Sequence, residues 1–273
     1  MKIKLVDNAF NGQPYTNPTW CGYSPIEWDR SAPSEDDPVV IYTDDSITAP
    51  KVGKVKIAWL FESEEFKPHN YEYIRNNIDE FDYVFTWTKS LLDFNPKCRL
   101  LPYGGSWIND HEISFYEKTK DVSIVASSKN FMSGHALRHE AIKRFPGKFD
   151  VYGNGYNRVD SLLTAFKDYR FTIVIENSKV AYGFSEKLVT PILCGTIPVY
   201  YGSPNIGTFF DPRGMFQFDT LDELEKILPS LNEQKYDQMK DYAKQNMVRA
   251  EEYKLMEYTL YKELVKLGLI DNE

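Results

Sequence analysis

Residues 171–202, FTIVIENSKVAYGFSEKLVTPILCGTIPVYYG, limit the possible folds of this chain more than any other stretch. The unbroken apolar run 171–175 reads as a strand buried on both faces, and TIPVYYG reads as another. Between them, Leu188 to Cys194 reads as a buried helix, and Gly195 stops it. Strand, helix, strand, all core-facing, is the unit of a parallel α/β sheet.

The polar residues at the junction need a further reason. Ser185 stands where an N-cap belongs, and Glu186 suits the positive end of a helix dipole. That much is ordinary helix chemistry. Lys187 is not, because a cation in the first turn costs roughly 0.3–1 kcal/mol. A phosphate bound at that helix N-terminus reverses the sign, since backbone N–H groups and Lys187 then face the same negative charge. Glu186 repels phosphate but can grip a ribose diol. Asn177, at the end of the preceding strand, can donate and accept in the same cleft. The set fits a nucleoside diphosphate.

The rest of the chain repeats the pattern. MKIKLVD, DPVVIYTDD, KVGKVKIAWLFES and FDYVFTW read as strands, with a long loop over 10–35 and a helix around HNYEYIRNNIDE. Residues 109–120 are polar and read as a linker. A second series follows: DVSIVASS, a helix HALRHEAIKRF, a strand KFDVYGNG, a helix DSLLTAFKDYR, then the opening stretch. The C-terminal 40 or so residues carry apolar positions on one helical face, with a bend or two. The expected architecture is α/β with two Rossmann-like halves facing a cleft. Residues 1–110 form one half, 119–250 the other, and 251–273 a C-terminal helix. Ligands in such sheets bind at the carboxyl ends of strands, where Glu62, Ser127, Ser128, Glu176 and Asn177 fall.

Composition excludes some partners. A formal net charge of −8 argues against nucleic acid or an anionic membrane surface. Three widely spaced cysteines, Cys21, Cys98 and Cys194, suggest free thiols in a reducing compartment. The N-terminus lacks a signal-peptide pattern, and no window approaches 18 apolar residues. A cytoplasmic protein without an integral membrane segment is the expectation. His135 and His139 have a ligand-capable spacing on one predicted helix, but no third ligand is evident, so no metal site is expected. Gly153 and Gly155 suggest a tight turn rather than a dinucleotide fingerprint, and there is no Gly-x-Ser-x-Gly or P-loop.

The stretch 171–206 resembles the donor-binding signature of the α-1,3/4-fucosyltransferases, glycosyltransferase family ten. The matching residues are Glu176, Asn177, Ser178, Ser185, Glu186, Lys187, Gly195, Pro198, Val199 and Gly202. SIVASSKNFMSGHALRHEAI (123–142) is similar to the family's strand, Ser–Asn loop and Arg-bearing helix. WLFESEEF (59–66) is similar to its Trp-x-x-Phe-Glu-Ser segment. The resemblance covers roughly residues 55–210. It implies the GT-B fold and an inverting transfer of fucose from GDP-fucose to a hydroxyl of an oligosaccharide acceptor, with no cofactor or divalent metal required. It implies Glu62 as general base, with Ser127, Ser128, Arg138, Asn177, Tyr182, Glu186 and Lys187 at the donor. Arginine suits a diphosphate because its guanidinium binds phosphate bidentately. A solvent-facing helix arginine is the plainer reading of Arg138.

The sequence departs from the family in three places. The tyrosine usual two positions before the Ser/Thr-Glu-Lys triplet is Gly183, with Tyr182 beside it as a substitute. Ser128 stands where asparagine is expected. Glu62-Ser63 is followed by Glu64 and Glu65, so three carboxylates compete for the role of base. A transferase of the same fold using another nucleotide sugar, and a non-catalytic carbohydrate-binding protein, stay open. The aromatic loop 13–28 is the expected acceptor contact, by analogy with the fold.

Overall fold

The computed structural model describes residues 1–7 and 24–272. Two wholly parallel sheets carry the chain. The first is built from β1 (Lys2–Val6), β2 (Glu27–Asp29), β3 (Val39–Thr43), β4 (Val55–Trp59), β5 (Tyr83–Thr86) and β6 (Cys98–Leu100), in the order β2-β1-β3-β4-β5-β6. The second contains β7 (Lys120–Val125), β8 (Asp150–Tyr152), β9 (Tyr169–Ile175), β10 (Ile197–Tyr201) and β11 (Phe216–Gln217), in the order β11-β10-β9-β7-β8. Every residue of β9 is buried, as its unbroken apolar run requires of a central parallel strand. The strand order of the second sheet reverses between β7 and β9. In doubly wound sheets that switch point opens a crevice at the carboxyl ends, and Ser127 and Asn177 lie just beyond those ends.

Helices cover the sheets: α1 (Pro68–Asn76), α2 (Lys89–Leu92), α3 (Ser133–Arg144), α4 (Glu186–Leu193), α5 (Leu221–Ile227), α6 (Glu233–Ala250) and α7 (Met256–Lys266). The C-terminal helical stretch breaks over 251–255. Before the break, Tyr236, Met239 and Ala243 of α6 pack into the core of the second sheet. After it, Met256, Leu260 and Leu264 of α7 join Ile3, Leu5, Ile41 and Trp59 in the core of the first. The chain therefore ends on the half where it began. The loop after β6 also joins the halves: the N–H of Gly104 donates to Phe184 and that of Gly105 to Tyr253.

Some elements differ from the sequence reading. DSLLTAFKDYR is a single 3-10 turn at Leu162–Ala165 rather than a helix. The Ser161 hydroxyl takes the Leu163 N–H, offering the backbone a local alternative to helical bonding. The expected loop 10–35 contains β2, whose Trp28 is buried and donates to Glu257 at 3.0 Å. The described end of the expected acceptor loop is thus tied into the core. Its remainder, 13–23, lies outside the described residues, as does Cys21. Cys98 and Cys194 are free and buried. No helix among the described residues is long and apolar enough to cross a membrane.

Candidate active site

The site forms where α4 begins. Glu176, just beyond β9, accepts from the Ser185 N–H at 3.0 Å and the Ser185 hydroxyl at 2.6 Å. The same hydroxyl oxygen caps the helix by accepting from the Lys187 N–H at 3.3 Å. Strand end and helix start are thereby locked together. Burial pushes the Glu176 carboxyl upward, with Lys187 opposing it. Burial also works against the Lys187 ammonium, but Glu186 and Glu176 outweigh it and hold lysine above its ordinary value. Lys187 contacts Glu186 at 2.8 Å and sits 5.5 Å from the Trp107 ring centre.

Helix α3 presses on the same strand end. A Cβ on Gly134 would fall 1.8 Å from the Glu176 carbonyl oxygen, so only glycine fits there. The Gly134 N–H donates to the Asn177 carbonyl at 2.9 Å. One turn later Arg138 donates to the Asn177 side-chain oxygen. Arg138 is only 5% exposed, which removes the solvent-facing alternative. Its Nε has no hydrogen-bond partner. Burial lowers its basicity, opposed by Glu176 and Glu186.

Two cavities meet at these residues. The larger, about 440 Å³, is lined by Ser127, His135, Arg138, Asn154 and Trp107, among others. The smaller, about 140 Å³, is lined by Phe61, Glu62, Trp87, Tyr103 and Glu176, among others. Asn177, Glu186 and Lys187 line both. His135 has an unpartnered Nδ1 and is pushed down to about 4, by burial first and then by Arg138, so its ring is neutral.

Glu62 enters the smaller cavity from beyond β4. Burial raises its carboxyl, Lys187 partly offsets this, and Glu186 adds to it. The neighbouring carboxylates are engaged elsewhere. Glu64 pairs with Arg75 at 2.7 Å, and Glu65 accepts from the N–H and hydroxyl of Ser133 at 3.0 and 3.1 Å. Behind Glu62 lies Asp44, 4% exposed, with neither carboxyl oxygen hydrogen-bonded. Burial, then the charge of Glu62, pushes it up to about 8.

Glu62, Ser127, Arg138, Asn177, Glu186 and Lys187 are thus gathered around the two cavities. Ser128 and Tyr182 are not in their walls. Ser128 is exposed, and its backbone N–H is bound to Asn154. Tyr182 has a left-handed backbone (φ 65°) and turns its ring edge-on to Phe209, 6.5 Å away. The space beside Gly183 is filled instead by Trp87. Sequence reasoning passed over Trp87, Tyr103 and Trp107. Trp87 could have been found, because it follows the carboxyl end of β5 as Glu62 follows β4. Both ring nitrogens of His139 are engaged, with Tyr156 and the Lys129 carbonyl, and among the described residues no three potential metal ligands cluster.

Comparison with known proteins gives a consistent result. Residues 115–264, more than half the chain, match glycosyltransferase family 10 (fucosyltransferase), C-terminal region. The alpha-(1,3)-fucosyltransferase B of Drosophila melanogaster is 28% identical over 174 residues, covering 54% of this chain and 38% of that protein. A putative fucosyltransferase-like protein of Arabidopsis thaliana is 25% identical over 188 residues, covering 65% and 34%. The chain therefore spans little more than a third of the length of these relatives. Among solved structures, an alpha1,3-fucosyltransferase with GDP aligns with a TM-score of 0.61 at 17% identity, covering 100% of this chain and 92% of that one. Anabaena HepE in complex with UDP-glucose aligns at 0.57 and 13%, covering 79% and 72%. These likenesses show the GT-B fold. Together with the family match over the half that holds Arg138 and Lys187, they make this chain a member of glycosyltransferase family 10, the fucosyltransferase family.

Proposed function

We propose that this chain transfers fucose from GDP-fucose to a hydroxyl of an oligosaccharide, O3 of GlcNAc or glucose in a lipopolysaccharide-type glycan, with inversion at C1. The observation that carries the reading is Arg138. A buried guanidinium with an unpartnered Nε is costly unless a ligand completes it, and it shares a cavity with Lys187. A diphosphate supplies the missing acceptors. The family match and the GDP named for a structural neighbour support guanosine diphosphate.

On this reading the nucleotide fills the larger cavity, and its diphosphate lies at Arg138, Lys187 and the start of α4. The sugar enters the smaller cavity, facing Glu62. The acceptor hydroxyl attacks C1 as Glu62 takes its proton, and the bond from C1 to the phosphate oxygen breaks. GDP leaves with the electron pair, its growing charge stabilised by Arg138, Lys187 and the helix N-terminus. The raised carboxyl of Glu62 suits a base working near neutral pH. Residues 1–110 would form the acceptor side, 119–250 the donor side, and 251–273 a helical end. The buried free thiols Cys98 and Cys194 support a reducing, cytoplasmic setting.

The test is calorimetry and thermal shift with GDP, GDP-fucose, GDP-mannose, UDP-glucose and UDP-GlcNAc, beside Lys187→Ala. A native-state ligand raises the melting temperature by mass action. Binding of GDP and GDP-fucose, lost in the variant, is expected. Binding of uridine sugars alone would overturn the donor assignment, and binding of none would overturn the catalytic reading.

A further inference from the structure

The smaller cavity has one wall that neither the motif nor the mechanism explains. Trp87 follows β5 and comes from the half opposite Lys187 and Glu186. Its Nε1–H donates to the Phe61 carbonyl at 3.1 Å, one residue before Glu62. That bond ties the indole to the backbone that carries the base. It also uses the ring's only polar group, so the indole can offer the cavity nothing but C–H and π surface.

Gly183 lies directly against this ring. A Cβ there would stand 2.0 Å from the Trp87 Cζ3 and 2.2 Å from Cε3, far inside the roughly 3.5–4.0 Å of an ordinary carbon contact. The Gly183 backbone is not left-handed, so conformation does not demand glycine. The demand is for room.

We propose that Trp87 is a specificity-determining wall for the transferred sugar and that Gly183 is the clearance that seats it. This rests on the donor reading above. The wall rewards a sugar that presents C–H surface, such as a 6-deoxyhexose. It penalises one that presents a hydroxymethyl group, whose O–H finds no partner on the indole.

The experiment needs no acceptor. GDP, GDP-fucose and GDP-L-galactose are titrated calorimetrically into the intact protein, Trp87→Ala, Trp87→Phe, Gly183→Ala and the double Trp87→Ala/Gly183→Ala variant. GDP itself, held in the larger cavity, should bind all five alike. The preference for GDP-fucose over GDP-L-galactose, which differs only by the C6 hydroxyl, should fall about tenfold in Trp87→Ala, the scale on which apolar pockets discriminate small groups. Gly183→Ala, which keeps the indole but displaces it, should lose as much. The double variant should be no worse than Trp87→Ala, and Trp87→Phe should recover part of the preference. A preference unchanged in Trp87→Ala and Gly183→Ala overturns the proposal. So does a parallel loss of GDP binding in both, which would mark a scaffold role. Failure of GDP to bind the unaltered protein is a different result and defeats the donor reading itself.

Discussion

The two cavities differ in how they are made. The larger draws its walls mainly from the second sheet and its connections, with Ser127 beyond β7, Arg138 on α3 and Lys187 on α4, and takes Trp107 from the loop after β6. It holds a guanidinium nitrogen and an imidazole nitrogen without partners. The smaller is assembled across the two halves. Phe61, Glu62 and Trp87 come from the first, and Glu176, Asn177, Ser178 and residues 183–187 from the second. It is rich in carboxylates and aromatic rings. On the proposed reading, one region holds the anion and the other removes a proton beside the sugar. If that reading holds, binding and chemistry should be separable by mutation, although Asn177, Glu186 and Lys187 line both cavities.

The largest effect should fall on chemistry alone. Glu62→Gln is expected to lower kcat by about 10²–10⁴ while the GDP titration stays unchanged. Loss of GDP affinity in this variant would break the division. The rate of the unaltered protein should fall with pH through a value above the ordinary glutamate range, because burial raises Glu62 and only the ionised form accepts the proton.

Asp44→Asn probes stability in the smaller cavity's support. The carboxyl is raised from 3.8 to about 8, by burial and then by the charge of Glu62, with Asp45 adding and Lys67 opposing. Between those pH values the folded protein holds a proton that the unfolded chain has released, so stability falls as pH rises. The slope approaches about 1.4 kcal/mol per pH unit at most. Denaturant unfolding at pH 5 and pH 8 should show the variant gaining on the unaltered protein as pH increases. An equal difference at both values would refute the buried, protonated carboxyl.

Arg138→Ala should weaken GDP binding by roughly 2–3 kcal/mol, the worth of hydrogen bonds to a charged group, with little change in the folded circular dichroism spectrum. Ser185→Ala removes the cap of α4 and one of two donors to Glu176, costing about 1 kcal/mol of stability by thermal unfolding. Tyr182→Phe marks the small end. Its ring packs on Phe209, so GDP and GDP-fucose titrations should not move. A clear loss there would return Tyr182 to the donor site.

Much of the larger cavity was legible because its residues are close in sequence and fixed by local rules. β9, the Ser185 cap, α4 and β10 follow from hydrophobic runs and capping, and Asn177, Glu186 and Lys187 ride on them. Arg138 was legible as a residue type in a helix, but its burial was not. That depends on Gly134 letting α3 rest on the end of β9. The 3-10 turn at Leu162–Ala165 was misread because Ser161 competes for a backbone N–H that periodicity takes for granted.

The chain alone determined two parallel sheets and the polar cluster at the start of α4, because period, caps and short-range spacing act within a few residues of one another. Glu62 as candidate base came from the resemblance of 59–66 to the family segment. Tertiary structure alone decided three things. It committed Glu64 and Glu65 to Arg75 and Ser133, leaving Glu62 at the cavity. It carried α7 back onto the first sheet. It set Trp87 against Gly183, nearly a hundred residues away in the chain. Contacts between distant segments depend on where whole elements come to rest, and that follows from burying two cores together rather than from any local pattern.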